Sequence, residues 1–329
     1  MFKVKLKEID IYHGKKAVSN DVYVQHFKDR GKDVEHFLRD VVGRDKRFLI
    51  DSDSESSLTM AIEASKKVLK KANMEGSELD MIIFSSQLPE YVAPPSSIII
   101  HHSLNGKSNC ICYDLNINCA GMTSAVEHTA KYMSVSPHIK KALIVGCDYV
   151  NLTVNPEIEL CYGHYGDASC AVILESTEED CGLIASKYHV NSIEYDNILF
   201  PGCGFSKLFK VEDKEELMMR WKPFECPWLD IAVENMNTVL EECGFKIDDI
   251  SMFCLSQFVL RNIEVIREKM GLDESKSIYI GDKYGYTGTS SPFIALYEAI
   301  NNGSVKRGDY VMFWTIGAGT ENIAMLFKY

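Results

Sequence analysis

The feature that most constrains this chain is an order of elements that occurs twice. In the first half, apolar spacing predicts a helix over Ser57–Ala72, with Leu58, Ala61, Ile62 and Leu69 on one face. A strand Met81–Ser85, a Pro- and Ser-rich loop (89–97), a helix and a strand Ile111–Leu115 follow. A helix opening near Cys119 and two strands, at 142–145 and 171–174, close the unit. The second half repeats the series, with helices near 229–243, 261–270 and Ser291–Asn301 and strands at Met252–Leu255, 278–280, 310–314 and 323–326. Short, nearly continuous apolar strands between helices imply sheets covered on both faces, and each closing strand pair implies an antiparallel edge. The expected division falls after residue 175, giving halves 1–175 and 176–329. One doubly wound sheet without duplication is the alternative that the pattern leaves open.

Composition excludes several classes of function. A formal net charge of −12 argues against a general nucleic-acid surface. No apolar run approaches the roughly 20 residues that span a bilayer. The segment 1–7 alternates apolar and basic residues like a strand and lacks the apolar core of a secretory signal, so a cytoplasmic protein is expected. Eleven cysteines, an odd number without C-x-x-C pairs, read as reduced thiols and not as a zinc site or disulfide framework. No metal and no resident cofactor are expected.

One cysteine has a chemically suggestive setting. The run from Asp114 to Ala125 passes from strand to helix through small residues and sets Cys119 at or near a helix N-terminus. Free N–H groups there favour a thiolate and can hold an oxyanion. A buried structural cysteine in a tight turn fits the segment equally well.

Order and spacing along nearly the whole chain resemble the β-ketoacyl-acyl-carrier-protein synthase III family. The resemblance rests on Asn118-Cys119-Ala120-Gly121, on Ser85-Ser86 with Pro95-Ser96-Ser97, and on Gly146-Cys147-Asp148 with Tyr165-Gly166-Asp167-Ala168. In the second half Gln257, Leu260 and Arg261, then Tyr284-Gly285 with Thr287, and Gly317-Ala318-Gly319 complete it. It implies a thiolase fold, an α/β molecule of two pseudo-duplicated mixed-sheet halves layered α-β-α-β-α. It also implies an acyl-accepting Cys119, a glycine loop around Gly319 that helps hold the oxyanion, and a dimer paired through the strand near 109–115.

The family's histidine and asparagine are absent. Ser256 and Tyr286 stand in their places, each able to donate one hydrogen bond but neither a base at neutral pH. His164 is the candidate substitute for proton transfer, with Glu90 a weaker one. Arg261, and a second basic cluster of Arg44, Lys46 and Arg47, are expected to meet an acidic acyl carrier protein. The family's adenine-stacking tryptophan is replaced near His36, which favours the carrier over free coenzyme A as donor. The expected activity is acyl transfer through an acyl-Cys119 intermediate, from an acyl-carrier or coenzyme A thioester to a second nucleophile, in fatty-acid-like or polyketide metabolism. The alternative is a catalytically incomplete subunit that serves as partner or scaffold to a competent synthase.

Overall fold

A computed structural model describes residues 3–329, so Met1 and Phe2 of the expected N-terminal strand lie outside the described residues. In β1 (Lys3–His13) Val4 and Leu6 are buried, a bulge between Leu6 and Glu8 skips one residue, and Ile9 and Ile11 resume the buried face. A small ribbon, β2 (Lys16–Ser19) with β3 (Lys46–Leu49), brackets α1 (Asn20–Lys28). Then come α2 (Ser57–Ala72), β4 (Met81–Ser85), α3 (Ser96–Ser103), β5 (Ile111–Leu115), α4 (Gly121–Val135), β6 (Lys141–Asp148) and β7 (Ala168–Thr177). The second half holds β8 (Gly182–Val190), a ribbon of β9 (Ile198–Leu199) with β10 (Arg220–Trp221), α5 (Trp228–Cys243), β11 (Met252–Leu255) and α6 (Leu260–Met270). The short α7 (Gly281–Tyr284), α8 (Ser291–Asn301), β12 (Tyr310–Gly317) and β13 (Glu321–Lys328) complete it.

The duplication is visible in strand order. The first sheet runs β1-β7-β6-β4-β5, with β4 parallel to β5 and β6 and with β7 antiparallel to its neighbours. The second, read from the equivalent edge, runs β8-β13-β12-β11, with β11 parallel to β12 and the rest antiparallel. The expected strand at 278–280 does not form. The amide of Gln257 takes the place of a ladder partner there, receiving Ile280 N–H at 2.8 Å and donating to Ile278 O at 3.3 Å.

Three of the hydrophobic clusters fill the spaces between five layers. One buries Met60, Ala64, Val68 and Ile100 of α2 and α3 against the outer face of the first sheet. A second, between the sheets, joins Met122 and Met133 of α4, Phe293 and Leu296 of α8, and inward residues of both sheets, Ile144 and Phe313 among them. The third packs Met236, Leu240 and Ile266 of α5 and α6 on Phe253 and Trp314. Aliphatic positions this deeply buried each contribute on the order of 2–3 kcal/mol by leaving water. The two sheets therefore face each other across α4 and α8, and the turn before α4 opens where the halves meet.

Candidate active site

Cys119 is presented by a tight turn between β5 and α4. Asn118 adopts a left-handed φ of 48°, a conformation that asparagine tolerates better than most residues. Ala120 N–H donates to Ile117 O at 3.0 Å and Gly121 N–H to Asn118 O at 3.1 Å, closing the turn. Gly121 lets α4 begin close against the end of β4: a Cβ there would lie 2.3 Å from Ser85 Oγ, so a larger residue would require that hydroxyl to turn away. Thr315 Oγ1 donates to the Cys119 carbonyl at 3.1 Å and ties the turn to β12.

The sequence predicted a thiolate favoured by the helix terminus, and the structure corrects that. The first N–H groups are already used, those of Ala120 and Gly121 within the turn and that of Met122 by Thr289 Oγ1 at 2.7 Å. Burial pushes the Cys119 thiol up to about 12, and the nearby Asp148 carboxylate pushes the same way, against hydrogen bonds from Tyr286 and Gln87. The resting group is the thiol.

Its sulfur opens on a narrow apolar pocket with a free volume of about 40 Å³, lined by Tyr165, Phe258, Tyr286, Gln87 and the Gly317-Ala318 backbone. Ile198, Met219, Phe224 and Trp228, with Ile316 of β12, complete the wall. Ile198, Met219 and Phe224 come from the segment between β8 and α5, whose sequence has no periodicity to mark it as a wall, and Trp228 opens α5.

Tyr286 is brought to the sulfur, and Ser256 reaches it only through the Tyr286 hydroxyl. Both are buried, their hydroxyls lie 3.3 Å apart, and the Tyr286 hydroxyl also reaches Cys119. Burial, then the charge a Cys119 thiolate would carry, holds the phenol well above its ordinary value, so it stays a donor. Tyr286 is fixed through its backbone, with its N–H donating to His164 O at 3.1 Å and its carbonyl accepting from Gly166 N–H at 3.0 Å.

His164 itself is not among the pocket-lining residues. Its ring packs edge-on against Phe258 and Tyr286, with centroids 4.8 and 5.7 Å away, and neither ring nitrogen has a partner. Burial, then the Arg44 and Arg47 charges, holds it well below the ordinary histidine range, so the imidazole is neutral. Glu90 is exposed on its loop and does not line the pocket.

The basic residues divide. Arg44 and Arg47 are buried, not at the surface where a carrier protein would dock. Arg44 donates to His164 O at 3.1 Å, Gln257 O at 3.1 Å and Phe258 O at 2.7 Å, while Arg47 reaches Asn20 and Gly163 O and stacks on Tyr23. Loop carbonyls can occupy guanidinium donors just as a ligand can, and the sequence does not separate the two uses. Only Lys46 of that cluster is exposed. Arg261 is exposed but answered on its own helix by Glu264 at 3.0 Å and Glu268 at 3.4 Å. His36 is exposed and pairs with Asp40 at 2.8 Å. Gly319 lies beyond the pocket, and its neighbours Gly317 and Ala318 line it instead.

Two residues absent from the expected set complete the floor. Asp148, at the end of β6, is a buried carboxylate that accepts from Thr289 N–H (2.8 Å), Gln87 N–H (2.9 Å), Gln87 Nε2 (3.2 Å) and Ser86 Oγ (3.2 Å). Burial raises it to about 6 in spite of these donors. Gln87 Nε2 lies 3.8 Å from Cys119 Sγ. Gly146-Cys147-Asp148 was visible as a motif, but a glutamine two residues past a strand gives no sequence signal.

Comparison with known proteins gives the chain a family and a fold. The family model described as 3-oxoacyl-[acyl-carrier-protein] synthase III matches residues 113–192, and that for the C-terminal part of the same synthase matches 240–329. The β-ketoacyl-[acyl-carrier-protein] synthase III of Clostridium perfringens is 28% identical over the full length of both chains. The crystal structure of 3-oxoacyl-[acyl-carrier-protein] synthase III from Aquifex aeolicus superposes with a TM-score of 0.86 at 24% identity, covering 100% of each chain. A priming β-ketosynthase from a polyketide biosynthetic pathway superposes with a TM-score of 0.87 at 19% identity, covering 99% of this chain and 96% of its own. With the duplicated five-layer architecture, the cysteine turn and both family blocks in place, this chain belongs to the 3-oxoacyl-[acyl-carrier-protein] synthase III family of thiolase-fold condensing enzymes.

Proposed function

We propose that the protein is an acyltransferase in which Cys119 accepts an acyl group from a phosphopantetheine thioester, on an acyl carrier protein or coenzyme A, and passes it to a second nucleophile. The observation that carries this reading is the Tyr286 hydroxyl, set between Cys119 and Ser256 at the floor of an apolar pocket. Acylation exchanges one thioester for another. The Cys119 sulfur bonds to the acyl carbon, the bond to the pantetheine sulfur breaks, and the Cys119 proton ends on the departing thiolate. No separate base is consumed, which suits a site whose hydroxyls are donors and whose histidine is neutral. Covalent catalysis of this kind divides one hard transfer into two easier ones.

The atypical pair limits the second half-reaction. Decarboxylation of a malonyl thioester builds charge on the thioester oxygen, and losing one donor there costs about 3–4 kcal/mol. A buried tyrosine fills space beside the sulfur, so an alcohol, amine or preformed carbanion is the acceptor that this site favours. No resident cofactor is invoked. An intact Cys119 turn and pocket favour the enzyme over the scaffold role. All eleven cysteines are free, which suits a reducing cytoplasm. Among the described residues no helix is long and apolar enough to cross a membrane.

The test is intact-mass measurement after incubation with acyl-coenzyme A and acyl-carrier donors. A covalent acyl gain that maps to Cys119 supports the reading, and no gain from either donor class overturns it. We further propose a homodimer through β5, the open edge of the first sheet, where Tyr113 is exposed. Light scattering should give a dimer mass, and Tyr113→Arg should lower it toward the monomer. A monomeric parent at micromolar concentration refutes the pairing.

A further inference from the structure

The one side-chain amide among the pocket-lining residues is that of Gln87, and its orientation is fixed by what surrounds it. Its own backbone N–H donates to Asp148 Oδ1 at 2.9 Å, and its Nε2 lies 3.2 Å from Asp148 Oδ2. A carboxylate only accepts, so the nitrogen and not the oxygen of the amide must face it. The same nitrogen lies 3.8 Å from Cys119 Sγ, within reach of a sulfur acceptor. Two N–H bonds thus have two acceptors, one a buried carboxylate and the other the nucleophile.

Asp148 is itself held on every side. Thr289 N–H (2.8 Å) and Ser86 Oγ (3.2 Å) occupy its remaining lone pairs. Gly288, at φ 61°, leaves room for it where a Cβ would come within 2.3 Å of Oδ2. The carboxylate is therefore a fixed anchor, and the amide cannot turn away from the sulfur without giving up its bond to Asp148.

We infer that Gln87 is a catalytic residue of the acyl-transfer step, the amide donor that stabilises the Cys119 thiolate as its proton leaves, with Asp148 as its positioning residue. The inference rests on the acyl-transfer reading for the step it serves, but the contact itself belongs to the free enzyme. No proton passes through the amide. It donates a hydrogen bond whose strength grows as the sulfur becomes anionic, because a bond to a charged acceptor is roughly twice as strong as a neutral one. Tyr286 supplies the other donor to the sulfur, from the opposite half of the molecule. In the acyl-enzyme the sulfur loses its charge, so the gain from Gln87 is largest on the way to the transition state.

The experiment is the pH dependence of Cys119 alkylation by iodoacetamide, followed by mass spectrometry of the Cys119 peptide, in the parent, Gln87→Leu, Gln87→Glu and Gln87→Asn, with acyl loading from acyl-coenzyme A measured in parallel. Loss of a hydrogen bond to a charged group predicts alkylation about ten- to hundredfold slower at pH 8 in Gln87→Leu. Gln87→Glu should be slower still, since it sets a second carboxylate beside the sulfur. Gln87→Asn, shorter by one methylene but still an amide, should recover part of the rate. Each variant's melting temperature is recorded, and if Gln87→Leu does not fold, the Gln87→Glu and Gln87→Asn pair decides. Alkylation profiles that overlay the parent's in the folded variants overturn the inference. A shifted alkylation profile in a protein that no thioester loads would keep the Gln87 contact and sink the acyl-transfer reading instead.

Discussion

The two halves contribute to the site in different ways. On the rim of the first sheet, Ser86, Gln87, Cys119 and Asp148 form a hydrogen-bonded set in which the Asp148 carboxylate accepts three bonds from that half and a fourth from Thr289 N–H of the other. On the rim of the second, Phe258, Tyr286, Ile316 and Trp228 present mostly rings and aliphatic surface, with the Tyr286 hydroxyl reaching the sulfur and Thr315 Oγ1 the Cys119 carbonyl. The first half is built to hold a nucleophile and the second to exclude water while offering a hydroxyl. Duplication explains how one backbone plan serves both, since equivalent strand ends meet at one point.

Removing the nucleophile should have the largest effect. Cys119→Ala is expected to abolish acyl loading and thiol-directed inactivation, whereas Cys110→Ser, just before the edge strand β5, or Cys112→Ser, on it, should leave both intact. Parental loading in Cys119→Ala would place the chemistry elsewhere.

The second test exchanges the two hydroxyls for an imidazole and an amide. In Ser256→His with Tyr286→Asn, release of labelled carbon dioxide from a malonyl thioester should rise by about two to three orders of magnitude, the scale set by one restored oxyanion donor. Rapid release by the unmodified protein would erase the distinction drawn between the halves.

The pH dependence of the nucleophile gives a smaller but cleaner measure. With the thiol near 12, the thiolate is a minor form at every ordinary pH. Its fraction, and the alkylation rate with it, should rise about tenfold per pH unit below that value. A rate that levels off between pH 8 and 9 would show an unperturbed cysteine and would remove the burial argument.

The fold was more legible in the sequence than the site was. Ser57–Ala72, Met81–Ser85, Ile111–Leu115 and Ser291–Asn301 follow directly from apolar spacing, because each has one face or both in a core. β8 escaped because it is an edge strand with Ile184, Tyr188 and Val190 exposed, so no alternation marks it. The segment 278–280 misled because an apolar triplet reads as strand whether its hydrogen bonds go to a neighbouring strand or to Gln257. At the site, the small-residue turn exposed Cys119, and family order placed Ser256 and Tyr286. Arg44 and Arg47 look in sequence like any surface basic run, and only the loop carbonyls around them show that they are internal props. Protonation states were the least legible, since they depend on burial that no local pattern records.

The smallest expected effect concerns His164, and it separates a structural ring from a base. Its imidazole is neutral, outside the pocket lining, and leaves two buried nitrogens without partners. An unsatisfied buried polar atom costs about 1–3 kcal/mol, so His164→Phe, of similar size and fully apolar, should fold at least as stably as the parent. The bond that His164 gives the site is a backbone one, its carbonyl accepting from Tyr286 N–H at 3.1 Å, and substitution leaves it in place. Acyl loading and transfer in His164→Phe should then stay within about threefold of the parent. General acid–base catalysts contribute roughly a hundredfold or more. A loss on that scale in a folded His164→Phe would return the proton to the histidine, require the second half to carry a base, and make the rims of the two sheets chemically complementary where they now divide nucleophile from wall.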